Sequence, residues 1–262
     1  MRWVGLVGLV ALGGCRQIFG IGDPAMTAGD APSLGDARQI DARGAIDGPA
    51  FLQQCSVQDT SLVGCWELDN SLADSGPHHF DITAGATPPT YVAGHTPGGE
   101  AIVTNNVDLS VADSVDLDVN AVTIAAWVYV TMMPSGNGGS GSAHASVLDN
   151  NNEYALYVEG NGSIRCYAGA STANMSGVIQ LNQWTHLACT GSGTTLRAYV
   201  NGQQVATGIL AGIPAGSSTG LTLGSDNPTG TGSRLQGWLD DVRLYNRALT
   251  AVEICRLHDP NC

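Results

Sequence analysis

From Cys55 onward, apolar residues come in short alternating runs broken by clusters of Gly, Asn, Asp and Pro. Alternation of this kind puts every second side chain on one buried face, the period of a β-strand. It predicts strands at 62–68, 101–110, 121–131, 153–159, 163–168, 184–190, 194–200, 203–207, 220–224 and 236–245. The clearest hairpin is 194–207, where TTLRAYV and QQVAT flank Asn201-Gly202. Both turn residues tolerate the positive φ that a two-residue hairpin demands. Only 247–257 (RALTAVEICRL) reads as a short helix, with Thr250 as N-cap and Glu253 as its capping-box partner. Many short strands without alternating helices predict an all-β chain, a two-sheet antiparallel jelly-roll sandwich with one short C-terminal helix.

The N-terminal part is patterned differently. Trp3 to Leu12 is an apolar run behind Met1-Arg2. It is too short for a bilayer span, which takes about 20 residues, and it reads as the h-region of a signal peptide. Leu12-Gly13-Gly14-Cys15 resembles the lipobox of bacterial lipoproteins. That resemblance implies a signal peptide over 1–14 and acyl chains on Cys15 as a membrane anchor. Residues 15–52 are rich in Asp, Ala, Gly and Pro and show no apolar period, so they read as a disordered tether. The folded domain is expected over 53–262. The expected location is exported and lipid-anchored, at the bacterial outer membrane or cell surface.

Charge narrows the partners. The chain has net charge −13, ten Arg and no Lys, which argues against nucleic acid, whose phosphates need basic side chains. An acidic surface suits divalent cations or neutral ligands such as sugars. With Cys15 assigned to lipid, six cysteines remain: Cys55, Cys65, Cys166, Cys189, Cys255 and Cys262. An even set in an exported chain reads as three disulfides. Six cysteines allow fifteen connectivities, and the spacing favours the local pairs Cys55–Cys65, Cys166–Cys189 and Cys255–Cys262.

Five blocks carry a family resemblance: LVGCWELDNSLADSGPHHFD (62–81), VTNNVDLSVADSVDLDVNAVTIAAWVYV (103–130), EYALYVEGNGSIRCYAG (153–169), NQWTHLACTGSGTTLRAYVNGQQVATG (182–208) and LQGWLDDVRLYNRALTAVEI (235–254). In this order they resemble the LamG-like branch of the concanavalin A-like lectin/glucanase jelly rolls. The resemblance implies two curved antiparallel sheets whose concave face and edge loops receive ligands. It also implies that Cys166 and Cys189 lie on paired or adjacent strands.

The resemblance further implies a structural calcium tying the end of the first strand to the last strand. The matching positions are Asp69, Asn70 and Asp240, with Asp74 and Asp241 as weaker additions; calcium takes six to eight oxygens. Asp108, Asp113, Asp116 and Asp118 read as turn solvation rather than a second metal site. Glucanases of this fold carry alternating carboxylates on one strand, and Glu67 with Asp69 is the nearest match. That match falls on the terminal strand, and Glu153 and Glu159 stand too far apart in sequence to pair. No G-x-S-x-G is present, and His186 reads as a structural histidine in the WTHLA strand. His78-His79 reads as a surface turn. The sequence therefore predicts no enzyme. It predicts a binding or adhesion module for carbohydrate or a surface protein, with a purely structural surface lipoprotein as the alternative and a glycoside hydrolase third. The expected contact regions are the loops 132–146, 149–152, 169–178 and 225–233, with Tyr91 and Tyr167 as rim aromatics.

Overall fold

The computed structural model describes residues 55–135, 143–214, 216, 218–226 and 234–262. The expected signal peptide, Cys15 and the whole 15–52 tether lie outside the described residues, as do parts of the 132–146 and 225–233 loops. No helix among the described residues is long and apolar enough to cross a membrane.

Among the described residues, two antiparallel sheets pack face to face. The first contains β1 (Leu62–Trp66), β3 (Tyr91–Ala93), β4 (Glu100–Val103), β6 (Val122–Met132), β11 (Trp184–Ser192), β12 (Thr195–Val200), β13 (Gln203–Ile209) and β15 (Gln236–Tyr245). Its order is β13-β12-β11-β6-β15-β4-β3, with β1 also pairing with β15. The second contains β2 (Thr83–Ala84), β5 (Leu109–Ser110), β7 (His144–Asn150), β8 (Tyr154–Glu159), β9 (Ile164–Ala168), β10 (Ser171–Met175) and β14 (Thr222–Leu223). Its order is β10-β9-β8-β7-β14-β5-β2. This is the expected jelly-roll sandwich.

Alternation explains the core. Val122, Ile124, Ala126, Val128 and Val130 of β6 all turn inward, as do Leu148, Leu156 and Ile164 from the opposite sheet. The expected strand at 101–110 divides between the sheets as β4 and β5. The Thr104 hydroxyl, in contact with the carbonyls of Leu235 and Gly237 at 2.8 and 2.9 Å, secures the crossing. The hairpin turn is as read, with φ of 47° at Asn201 and 76° at Gly202.

The helix, α1 (Ala251–His258), starts later than its apolar pattern because Thr250 caps it. Thr250 and Glu253 form the capping box. Ile254 and Leu257 cover Leu62, Ala125, Ala188, Tyr199 and Tyr245 on the outer face of the first sheet. The cysteines lie in three pairs: Cys55 with Cys65, Cys166 with Cys189, and Cys255 with Cys262. Cys166 is on β9 and Cys189 on β11, so this bridge crosses the core between sheets. The strands are neither paired nor adjacent in one sheet, as the resemblance had implied, because both thiols point inward from facing layers.

Candidate functional site

The outer face of the second sheet is polar. Leu109, Leu148, Leu156, Cys166 and Leu223 turn into the core, so their strand neighbours point away from it. Register lines these neighbours up: Tyr167, Ala155, Asp149, Thr222 and Ser110 form one row across five strands. Arg165, Tyr157 and Ser146 form a second, and Glu159 pairs with His144 in a third. Asp226, just past β14, joins them, with His144 Nε2 3.1 Å from its Oδ2.

The charges form one connected network. The Tyr157 hydroxyl donates to Asp149 Oδ2 at 3.1 Å, and the Asp149 and Asp226 carboxyls act on each other electrostatically. Arg165 lies over the Tyr157 ring with its guanidinium carbon 4.3 Å from the centroid. Its Nε donates to Glu159 Oε1 at 2.5 Å. Burial pushes the Asp149 carboxyl well up, and the adjoining Asp226 pushes it further. Burial also acts to raise Asp226, but the bonds from His144 and Asp149 outweigh it and hold this carboxyl below its usual range. The two carboxyls are thus pushed in opposite directions by their surroundings. Burial, followed by the two nearby carboxylates, raises the Tyr157 phenol, so it remains a donor.

Ser110, Asp149, Asn151, Thr219, Thr222 and Asp226 line a groove of about 470 Å³ against this network. Its hydroxyl, amide and carboxyl groups can donate to and accept from a ligand bearing many hydroxyls.

The first sheet carries an aromatic outer face. Trp184, Tyr129 and Trp238 are cross-strand partners on β11, β6 and β15. Tyr129 stacks on Trp238 at 4.0 Å and meets Trp184 edge-on at 5.5 Å. In the next row, Trp127 stacks on His95 at 4.4 Å and contacts His186 and His258, each at 5.3 Å. Loop composition could not reveal this surface, because the rings come from three separate strands.

The residues matched to calcium sit at the edge of that aromatic face. Asp69 Oδ1 accepts from the Glu100 amide at 2.5 Å. Asp240 Oδ2 accepts from the His95 amide at 2.9 Å and lies 2.8 Å from His95 Nδ1. Asn70 has a φ of 50° in the turn after β1. Among the described residues, the acidic and histidine ligand atoms that converge are those of His95, Asp240 and Asp241, within 4.8 Å of one another. Asp69 is outside this group. Asp69 and Asp240 each hold a backbone amide, and the side chains that converge on Asp240 are His95 and Asp241.

The other sequence candidates have local partners. Asp74 is buried and accepts from the amides of Cys65, Gly76 and Phe80, each at 2.8 Å. Asp108 pairs with Arg234, while Asp113 is exposed and Asp116 sits in a short 3₁₀ turn. Glu67 accepts from the Ser75 hydroxyl at 2.9 Å and Glu153 from the Asn150 amide at 2.9 Å. His78 stacks on Phe80, and His79 has a φ of 57°, as a turn requires. Tyr167 belongs to the polar row. Tyr91 is on β3, in the other sheet. The expected loop 169–178 contains β10 instead, since Ala173 turns into the core and supplies the strand's anchor.

A family model described as the concanavalin A-like lectin/glucanases superfamily matches residues 103–255. Among solved structures, the chain is similar to domain 4 of AbnA, a GH43 extracellular arabinanase from Geobacillus stearothermophilus, in complex with arabinotriose. The TM-score is 0.59 at 20% identity, covering 76% of this chain and 98% of that one. The binding domain of botulinum neurotoxin serotype G gives 0.55 at 16% identity, over 75% of this chain and 50% of that one. A Trypanosoma rangeli sialidase gives 0.53 at 19% identity, over 78% and 33%. The chain thus spans half or less of the latter two. At these identities the likeness shows the fold alone. No curated protein matches the chain.

Proposed function

The chain belongs to the concanavalin A-like lectin/glucanases superfamily, and from that premise we propose that it is a non-catalytic module binding carbohydrate on the outer face of its second sheet. The observation that carries this reading is the groove in which Ser110, Asp149, Asn151, Thr219, Thr222 and Asp226 converge. A neutral sugar needs paired donors and acceptors without a strong field. Here Asn151 Nδ2 donates to the Thr219 hydroxyl at 3.0 Å and the Thr222 hydroxyl donates to the Ser225 carbonyl at 2.6 Å, so polar groups of both kinds are held in fixed orientation along the groove. The similar arabinanase domain was solved with arabinotriose, which supports an oligosaccharide as the ligand class.

Three disulfides point to an oxidising compartment. We place the module outside the cell, held by lipid on Cys15 through the 15–52 tether. A glycan array probed with the purified chain tests the binding reading. Binding to a subset of oligosaccharides, lost in Asn151→Ala and Asp226→Asn, is the expected result. A featureless array with folded protein would overturn it.

A further inference from the structure

We propose that His95 and Asp241, with Asp240 as the orienting carboxylate, form a binding site for a borderline divalent cation such as Zn²⁺. The site is built by two irregularities that face each other. One is the loop between β3 and β4, closed by the Gly94 amide donating to the Gly99 carbonyl at 2.9 Å. Gly94 is required there: a Cβ on it would stand 2.7 Å from Asp240 Oδ2 and 2.8 Å from the Glu100 carbonyl oxygen. The other is the bulge in β15, where the register against β6 shifts between Asp240 and Arg243. Asp241 adopts a φ of 48° in that bulge. A bulge re-aims a side chain that regular pleating would turn elsewhere, and here two consecutive carboxylates address one imidazole.

The imidazole is oriented as a ligand. Asp240 Oδ2 lies 2.8 Å from Nδ1 and also accepts the His95 amide. In the neutral ring, the proton is therefore on Nδ1 and the lone pair on Nε2. Nε2 is 3.7 Å from Asp241 Oδ2, close to the spacing of two atoms that share an ion at about 2.0–2.2 Å each. Carboxylate, histidine and metal in this sequence are the usual second-shell arrangement, which fixes tautomer and ring plane together. Trp127 stacks on the ring at 4.4 Å and holds its plane. Charge favours a cation: Asp240 and Asp241 supply two carboxylates beside one guanidinium, Arg243, whose Nη2 is 3.4 Å from Asp241 Oδ1. An imidazole nitrogen selects Zn²⁺ over Ca²⁺, which takes oxygen. Two protein ligands leave the remaining positions to water, so the affinity is expected to be micromolar.

The test uses the full chain without a polyhistidine tag, stripped with EDTA and free of sugar. Zn²⁺ and Ca²⁺ are titrated separately, following tryptophan fluorescence, binding heat and the melting midpoint. One Zn²⁺ per chain should bind and raise the midpoint, while Ca²⁺ at the same concentration should not. His95→Gln and Asp241→Asn, each shown to melt cooperatively in EDTA, should weaken Zn²⁺ binding at least tenfold. No Zn²⁺ binding, equal response to Ca²⁺, or binding unchanged in both variants would each overturn the proposal. None of these results bears on the sugar groove of the opposite sheet.

Discussion

The Tyr157 hydroxyl donates to Asp149 Oδ2 at 3.1 Å, on a carboxyl that is buried and subject to the charge of Asp226. Burial and the neighbouring acid raise the native pKa of Asp149 above its unfolded value near 3.8. The folded state thus binds this proton more tightly than the unfolded state does. Its contribution to stability is fully present below pH 3.8 and is lost as pH rises through the native value. Asp149→Asn keeps the shape and cannot ionise. The melting midpoint of the variant should fall less than wild type as pH rises from 4 to 9. Parallel curves for the two proteins would show that Asp149 does not hold the proton.

His186 titrates in the opposite sense. Burial, reinforced by the neighbouring His258, Arg243 and His95, lowers its pKa from 6.5 to about 3. Its backbone amide donates to Asn201 Oδ1 at 2.9 Å, and its ring is packed against Trp127 and His258. The unfolded state takes up the proton first. The stability contributed by the neutral ring is complete above pH 6.5 and disappears as pH falls toward 3. His186→Gln should flatten the acid side of the stability curve over that interval, as read by urea midpoints at pH 7 and pH 4.5.

The contrast between these two residues shows what sequence could and could not provide. His186 sits in an alternating run between Thr185 and Leu187, so its face of the strand, opposite to that of Leu187 and Cys189, was readable from WTHLACT alone. The same local rules gave β6 to within a residue at each end, the Asn201-Gly202 turn and the Thr250–Glu253 box, because each depends on neighbours a few positions apart. Asp149 acquires its chemistry from Tyr157 and Asp226, which reach it only after β7 pairs with β8 and β14. The aromatic face is the same case: Trp127, Tyr129, Trp184 and Trp238 look like scattered core residues until register puts them side by side. His95 carried no pattern at all, and only the bulge at Asp241 gives it a partner. Alternation specifies which side of a strand a residue takes, but non-local pairing decides whom it meets there.

The Cys166–Cys189 bridge ties β9 to β11 through the core at a sequence separation of 23. Closing a loop of that length restricts the unfolded chain by about 3 kcal/mol. Replacing both residues by Ala should lower the melting midpoint by roughly 6–12 °C for a domain of this size. The Cys255–Cys262 bridge closes a loop of only 7 residues at the chain end, so its removal should cost less. Calorimetry on the two double variants would test the ranking, and a larger loss for the terminal bridge would refute it.

The C-terminal helix depends on its first turn. The Thr250 hydroxyl accepts from the Glu253 amide at 3.3 Å, and the Thr250 amide donates to Glu253 Oε2 at 2.7 Å. Arg247 adds two bonds to the same carboxylate, at 3.1 and 2.7 Å. Burial acts to raise the Glu253 pKa, but the Arg247 and Thr250 bonds outweigh it and the net shift is downward. A lowered native value means that the stabilisation is present above the unfolded value of 4.5 and is lost as pH falls through the native one. Thr250→Ala should cost about 1 kcal/mol. Glu253→Gln should destabilise at pH 7 yet approach wild type at pH 3. Because Ile254 and Leu257 cover Leu62 and Tyr245, fraying of this turn should also expose that apolar patch. Faster amide exchange across 251–258 in Thr250→Ala, with β6 and β11 unchanged, is the expected signature; uniform acceleration over the whole domain would mean that the helix does not open on its own.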